Sequence, residues 1–352
     1  MNRLKKIVDY IEKKELDAIL VTSEPNCHYV CGFSPSEGKI LVSRSGAAFQ
    51  FVDSRYTETA MNYAKENGLT VIETTKLSAL NKRIRDLSIR SLGFESSHVS
   101  VDAFQTYTET FDAQLTPLPD FFMELRNEKD EAELALMKKA QEIAEKSFFE
   151  LLELIRPGKT ERELANELNY IMMKNDSHGP SFDTILISGA NSSMPHGVPG
   201  TKPIERGDFI TIDFGATYMG YHSDMTRTVA VGKATNEMKK VYAVVLEAQL
   251  HAIEEIAVGK SARDIYQGAF DIIDQAGYGA YFRHALGHGV GLEIHEGYST
   301  PSERIYNAGY VTSVEPGIYI PGKFGVRIED VLALGENGNT NLTHVPKELL
   351  IL

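Results

Sequence analysis

The sequence contains no tryptophan and only two cysteines, and none of its apolar runs approaches the length that spans a bilayer. Cys27 and Cys31 flank His28, but no second pair of ligands lies close enough in sequence to complete a structural zinc site. A disulfide between them is not expected in a reducing compartment. Cationic side chains are scarce as well: 36 Lys and Arg stand against 49 Asp and Glu, for a net charge of −13. Phosphate backbones repel such a surface, so nucleic acid is not an expected partner, and without a long apolar span neither is the membrane. The first residues carry no apolar signal core or cleavage site, which makes the cytoplasm the expected compartment.

The composition is otherwise that of a soluble globular protein, with 42% hydrophobic and 24% charged residues. A chain of 352 residues is too long for one ordinary core, and two domains are expected. Met1 to Leu20 reads as an amphipathic helix, with Leu4, Ile7, Val8 and Ile11 at helical spacing. Ala18–Thr22, Lys39–Val42, Ala48–Val52 and Thr70–Glu73 read as strands, with helical stretches such as Tyr56–Glu66 between them. Residues 1–125 therefore form an expected α/β domain. The stretch Leu115-Thr116-Pro117-Leu118-Pro119-Asp120 reads as a break in regular structure, ahead of a second domain over 126–352. That domain starts with an expected long helix, Lys129 to Ile155, closed by Pro157-Gly158.

The second domain repeats itself. Met137-Lys138-Lys139 recurs as Met238-Lys239-Lys240, and Gly158-Lys159-Thr160 recurs as Gly259-Lys260-Ser261. Both pairs are offset by 101, and eight of the 28 positions in 137–164 match 238–265. A constant gapless offset across a helix and its following turn implies two structurally similar halves. The correspondence extends to Gly207–Asp213 and Gly309–Glu315, two strand-like segments that each end in an acid. A carboxylate on an apolar strand is costly unless something pairs with it, so two at equivalent places imply one shared site.

Each half supplies a second acid. A turn over Gly215–Gly220 could fold Asp224 back beside Asp213 on a second strand. After Pro316-Gly317 and Pro321-Gly322, a strand over Gly325–Asp330 returns with Glu329, which shares a face with Arg327 while Asp330 points away. Four converging carboxylates repel one another unless counter-charges intervene. Two divalent cations would neutralise them, and His288 in Gly287-His288-Gly289-Val290-Gly291 offers a neutral fifth donor. Carboxylates with one imidazole suit Mn²⁺, Co²⁺, Fe²⁺ or Zn²⁺, and Mn²⁺ is the expected ion. Two metals about 3.5–4 Å apart can share a hydroxide that attacks an amide, and can stabilise the tetrahedral intermediate.

Several segments together resemble the Xaa-Pro aminopeptidase and prolidase family. They are Ile212-Asp213-Phe214-Gly215, Ser223-Asp224-Met225-Thr226-Arg227-Thr228, the run Gly287–Glu296, Val314-Glu315-Pro316-Gly317 and Val326-Arg327-Ile328-Glu329-Asp330. Asp53-Ser54-Arg55-Tyr56 resembles a motif of that family's N-terminal domain, and Arg126 to Ala144 resembles its inter-domain helix. The resemblance implies a creatinase-like N-terminal α/β domain followed by a pseudo-two-fold "pita-bread" catalytic domain. It implies Asp213, Asp224, His288, Glu315 and Glu329 as metal ligands, with Asp224 and Glu329 bridging and Glu315 also accepting the proton of the attacking water. It further implies His196 beside the leaving nitrogen, His295 near the scissile carbonyl, His284 in the substrate pocket, and Arg327 beside the metals and the proline pocket. The substrate implied is a dipeptide or short peptide with proline second, and the assembly a homodimer. Two departures from the family pattern, Ala285-Leu286 before Gly287 and Tyr298 after Glu296-Gly297, fall on no ligand but could reshape the substrate pocket. A methionine-aminopeptidase-like enzyme and a non-catalytic peptide-binding protein on the same fold are the alternative readings.

Overall fold

The computed structural model describes residues 3–119 and 121–352. Met1 and Asn2 of the expected first helix, and Asp120 of the expected connection, lie outside the described residues. The chain divides into two compact units, Met1–Arg126 and Asn127–Leu352.

In the first unit six strands form one sheet: β1 (Ala18–Val21), β2 (Lys39–Ser43), β3 (Ala48–Val52), β4 (Thr70–Glu73), β5 (Ser91–Phe94) and β6 (Gln114–Pro117). Their order is β4-β3-β2-β1-β5-β6. The helices are α1 (Arg3–Lys13), α2 (Glu24–Cys31), α3 (Thr57–Asn67), α4 (Leu77–Asp86), α5 (Val101–Thr110) and α6 (Phe121–Asn127). The parallel pairs β3–β4 and β5–β6 are bridged by α3 and α5, because a parallel connection must cross back along the sheet. The first helix stops at Lys13 rather than continuing to Leu20. Glu15 takes a positive φ of 55°, and the all-buried run Ala18–Val21 becomes a strand covered on both faces. The expected break at 115–120 is a strand over its first residues, where Gly93 pairs with Thr116 and Phe94 with Pro117. On the edge of the sheet the missing N–H of Pro117 costs nothing.

The second unit opens with α7 (Glu131–Leu152), shorter at both ends than the expected Lys129–Ile155. The Asp130 side chain accepts from the Glu133 N–H while Glu133 reaches back to the Asp130 N–H, a capping box that fixes the start. The repeat is present in three dimensions. Helix α8 (Glu161–Lys174) and helix α10 (Ala262–Gln275), which follows α9 (Asn236–Glu255), begin 101 residues apart (262 − 161). Each follows a left-handed glycine, Gly158 at φ 94° and Gly259 at φ 87°.

The strands of the first half are β7 (Gly179–Pro180), β8 (Ile185–Ser188), β9 (Phe209–Phe214), β10 (Ala216–Tyr218), β11 (Tyr221–His222) and β12 (Met225–Ala230). Those of the second are β13 (Gly287–Gly289), β14 (Glu296–Thr300), β15 (Val311–Val314), β16 (Gly317–Ile320), β17 (Phe324–Arg327), β18 (Asp330–Ala333) and β19 (Thr340–Asn341). Each half contains one long antiparallel hairpin interrupted once: β9–β12 continues into β10–β11, and β15–β18 continues into β16–β17. Helices α7 and α8 pack an apolar face on β9 and β12 through Phe148, Leu164 and Phe214, and α9 and α10 cover the second hairpin. Among the described residues no helix is long and apolar enough to cross a membrane.

Candidate metal centre

The interruptions of the two hairpins are where the acids sit. Asp213 lies inside β9, Glu315 directly follows β15, Asp224 falls between β11 and β12, and Glu329 falls between β17 and β18. Asp224 and Glu329 are thus not strand residues, as the sequence led one to expect. Released from the regular hydrogen-bond pattern, they can turn toward the partner hairpin. Asp330 points away from the site and is fully buried beside Arg227, as alternation predicts. His288 is the middle residue of β13.

All nine residues singled out from the sequence line one cavity of about 350 Å³: Asp213, Asp224, His288, Glu315, Glu329, His196, His284, His295 and Arg327. The His288 Nδ1–H donates to the Gly289 carbonyl at 3.0 Å, which leaves Nε2 with a free lone pair. That nitrogen lies 3.6 Å from Asp224 Oδ2 and 3.4 Å from Glu315 Oε1. One donor atom each from Asp224, His288 and Glu329 lies within 4.8 Å of the other two. Asp213 is held differently, its carboxylate accepting a hydrogen bond from Arg327 Nη2. The same guanidinium donates to Thr226 Oγ1 at 3.1 Å and to the Tyr319 hydroxyl at 2.7 Å. Thr226 Oγ1 in turn donates to Glu329 Oε2 at 2.7 Å.

The electrostatics are those of an acid cluster short of counter-charge. Burial, reinforced by Asp213 and Glu315, pushes the Asp224 carboxyl well above its ordinary range. Burial, reinforced by Asp224 and Glu315, does the same to Glu329. Glu315 is pushed up to about 8 by burial, against the pull of Arg327. Asp224 Oδ1 and Glu329 Oε1 are buried with no hydrogen-bond partner among the described residues. Buried acceptors with nothing donating to them, beside an imidazole nitrogen, fit the hard and borderline divalent cations. These residues could hold such ions.

The histidines divide by environment. His196 and His295 are exposed at the cavity, and the His295 ring lies 4.2 Å from that of His288. His284 is pushed down to about 4 by burial and then by Arg327, and its Nε2 is 2.9 Å from the Tyr319 hydroxyl. Sequence reading missed three participants. Tyr319 links Arg327 to His284, Thr226 orients Glu329, and Ser313 Oγ accepts from the His288 N–H while donating to Glu315 Oε1. Thr226 stood inside a motif already noted, whereas nothing local in the sequence marks Tyr319 or Ser313.

The family pattern described as Metallopeptidase family M24 matches residues 135–336, and the Creatinase/Prolidase N-terminal domain pattern matches residues 3–127. The Xaa-Pro dipeptidase of Pyrococcus horikoshii is 39% identical, over 99% of this chain and 98% of its own. A solved Xaa-Pro dipeptidase from Bacillus anthracis superposes with a TM-score of 0.95 at 39% identity, covering 99% of both chains. The X-Pro aminopeptidase from Thermotoga maritima superposes with a TM-score of 0.92 at 37% identity, covering 98% of this chain and all of that one. Matches of this extent, to patterns that take in both units, establish a creatinase-like N-terminal domain and a pita-bread domain behind it, and place the chain in metallopeptidase family M24.

Proposed function

We propose that this chain is a two-metal peptidase that cleaves the bond between an N-terminal residue and a following proline, in dipeptides or short peptides. The observation that carries the reading is the convergence of nine candidate residues on one cavity, with two buried carboxylate oxygens that lack donors among the described residues. Asp213, Asp224, His288, Glu315 and Glu329 would hold the ions in this reading. Mn²⁺ is the first choice, with Co²⁺, Zn²⁺ and Fe²⁺ as substitutes. Bound there, the pair would acidify a shared water and polarise the scissile carbonyl. Catalysis belongs to 126–352, and 1–125 is its creatinase-like companion. The homodimer rests on family resemblance, and the mass in solution tests it.

The chain's own residues then divide the work. Glu315, which lines the cavity beside His288, would accept the proton of the attacking water. The nitrogen that departs from a prolyl bond belongs to a tertiary amide and needs a proton to leave. His196, exposed on the cavity wall, supplies it. His295 contacts the substrate near the carbonyl. His284 and Arg327, joined through Tyr319, shape the pocket for the proline ring.

Hydrolysis of Ala-Pro, Ala-Pro-Ala and Met-Ala-Ser, compared in Mn²⁺, Co²⁺ and Zn²⁺, tests the reading. Turnover is expected on substrates with proline second and not on Met-Ala-Ser, and the first two separate a dipeptidase from a longer-peptide enzyme. Cleavage of Met-Ala-Ser alone would replace it with the methionine enzyme. His196→Ala is expected to lower kcat by about 100-fold with metal content unchanged. Parallel loss of metal would make His196 structural.

A further inference from the structure

The segment Thr226-Arg227-Thr228 grips Arg327-Ile328-Glu329 residue by residue. Thr226 Oγ1 donates to the Glu329 carboxylate, and the Glu329 N–H donates to the Thr226 carbonyl at 3.1 Å. Thr228 Oγ1 donates to the Arg327 carbonyl at 3.0 Å and accepts from the Arg327 N–H at 3.2 Å. Between them Arg227, 2% exposed, sends Nη1 to the Glu329 carbonyl at 2.6 Å and to its neighbour's Thr226 carbonyl at 2.9 Å. Its other nitrogens reach Asp330 Oδ1 at 2.8 Å, Val345 O at 2.8 Å and Pro346 O at 3.1 Å. The second oxygen of Asp330 takes Lys347 Nζ at 2.6 Å and Asn341 Nδ2 at 2.6 Å.

Fixing Glu329 needs this much because Glu329 lies in the gap between β17 and β18, outside the regular ladder that would hold its backbone. An acid that must meet two ions at once tolerates little rotation, and an unsupported residue in a gap has several rotamers open to it. Asp330, wholly buried next door, would be a liability if it were not neutralised. Paired with Arg227 and Lys347, it becomes the anchor of the guanidinium that grips the Glu329 carbonyl. The segment 345–347 is thereby tied to the metal centre, although none of its residues lines the cavity.

We propose that Arg227, Asp330 and Lys347 form a positioning brace for Glu329, so that an ion pair outside the cavity sets how tightly the centre holds its metal. The inference rests on Glu329 being a ligand, as in the function proposed above. Arg227→Lys would expose it most directly, but five hydrogen bonds, four of them buried, make that variant a folding risk. Lys347 is 19% exposed at its side chain, so Lys347→Met leaves Arg227 and Asp330 joined while weakening the anchor.

The test is calorimetric titration of the metal-free full chain with Mn²⁺ in a double-mutant cycle. Lys347→Met is expected to weaken Mn²⁺ binding about tenfold, with Lys347→Arg restoring most of it. In a Glu329→Gln background, Lys347→Met is expected to cause no further loss, because the ligand it positions is already gone. An equal loss in both backgrounds, or unchanged affinity in Lys347→Met, would overturn the brace. Wild-type affinity in Glu329→Gln itself would instead remove Glu329 from the ligand set and the premise with it.

Discussion

Glu329→Ala is expected to reduce prolyl-bond hydrolysis by about three orders of magnitude or more while leaving the metal-free fold standing. A metal pair supplies several kcal/mol of transition-state stabilisation, and losing about 4 kcal/mol of it corresponds to that factor. The fold survives because this carboxylate works against it. Glu329 is 1% exposed, its carboxyl is pushed well up by burial and by Asp224 and Glu315, and Oε1 has no donor among the described residues. Alanine removes the repulsion and leaves only a small void and a Thr226 hydroxyl that still accepts from Arg327 Nε but has lost the oxygen it donated to. The thermal midpoint of the EDTA-treated variant is therefore expected within a few degrees of the parent. The upward shift that Mn²⁺ gives the parent, which grows as RT ln(1 + [L]/Kd), is expected to vanish. A variant that turns over normally, or still gains the full Mn²⁺ shift, would remove Glu329 from the centre.

Much of this site could be read in the sequence because it was written twice. An offset of 101 residues in the helices, and of 102 in the strands that follow, carried Asp213 onto Glu315 before any geometry was known, and the helix pair α8 and α10 keeps the offset of 101. His288 was legible through its glycines. A Cβ at Gly287 would lie 2.0 Å from the Ser313 carbonyl oxygen and one at Gly289 1.9 Å from that of Glu296, so β13 reaches its neighbours only without side chains on either side. The hairpin interruptions were not legible. Alternation along Gly325–Asp330 gives the right faces but hides the gap at Ile328-Glu329, since a period of two cannot report where the ladder lapses. Arg227 looked like one more residue of a motif, because all its partners but the adjacent Thr226 carbonyl lie 102 to 119 positions away. In the first unit Pro117 misled for a local reason: it signals a break, and only the edge position of β6 makes it admissible in a strand.

The affinity of the centre for Mn²⁺ is expected to rise steeply with pH up to about pH 8. Glu315 has an ordinary carboxyl value of 4.5 in the unfolded chain and about 8 in the metal-free fold, raised by burial against the pull of Arg327 and helped by Asp213. Asp224 and Glu329 are shifted in the same direction. Between those two values the native protein holds a proton on Glu315 that the unfolded chain has released. Stability of the metal-free protein from this group is thus fully present below 4.5 and is lost as pH rises through about 8. A ligand must be ionised to bind, so each metal ion that displaces this proton gains about tenfold in affinity per pH unit below that point. His288 is shifted the other way, because burial lowers its pKa and so favours the neutral imidazole that binds a metal. Titrations from about pH 6 to 9 in two buffers of different ionisation enthalpy read both the affinity and the protons released. Glu315→Gln is expected to flatten the first and diminish the second, and to lessen the loss of metal-free stability at high pH. Affinity independent of pH across that range, with no proton released, would mean that the carboxylates are already ionised, and that a counter-charge other than a metal serves the cluster.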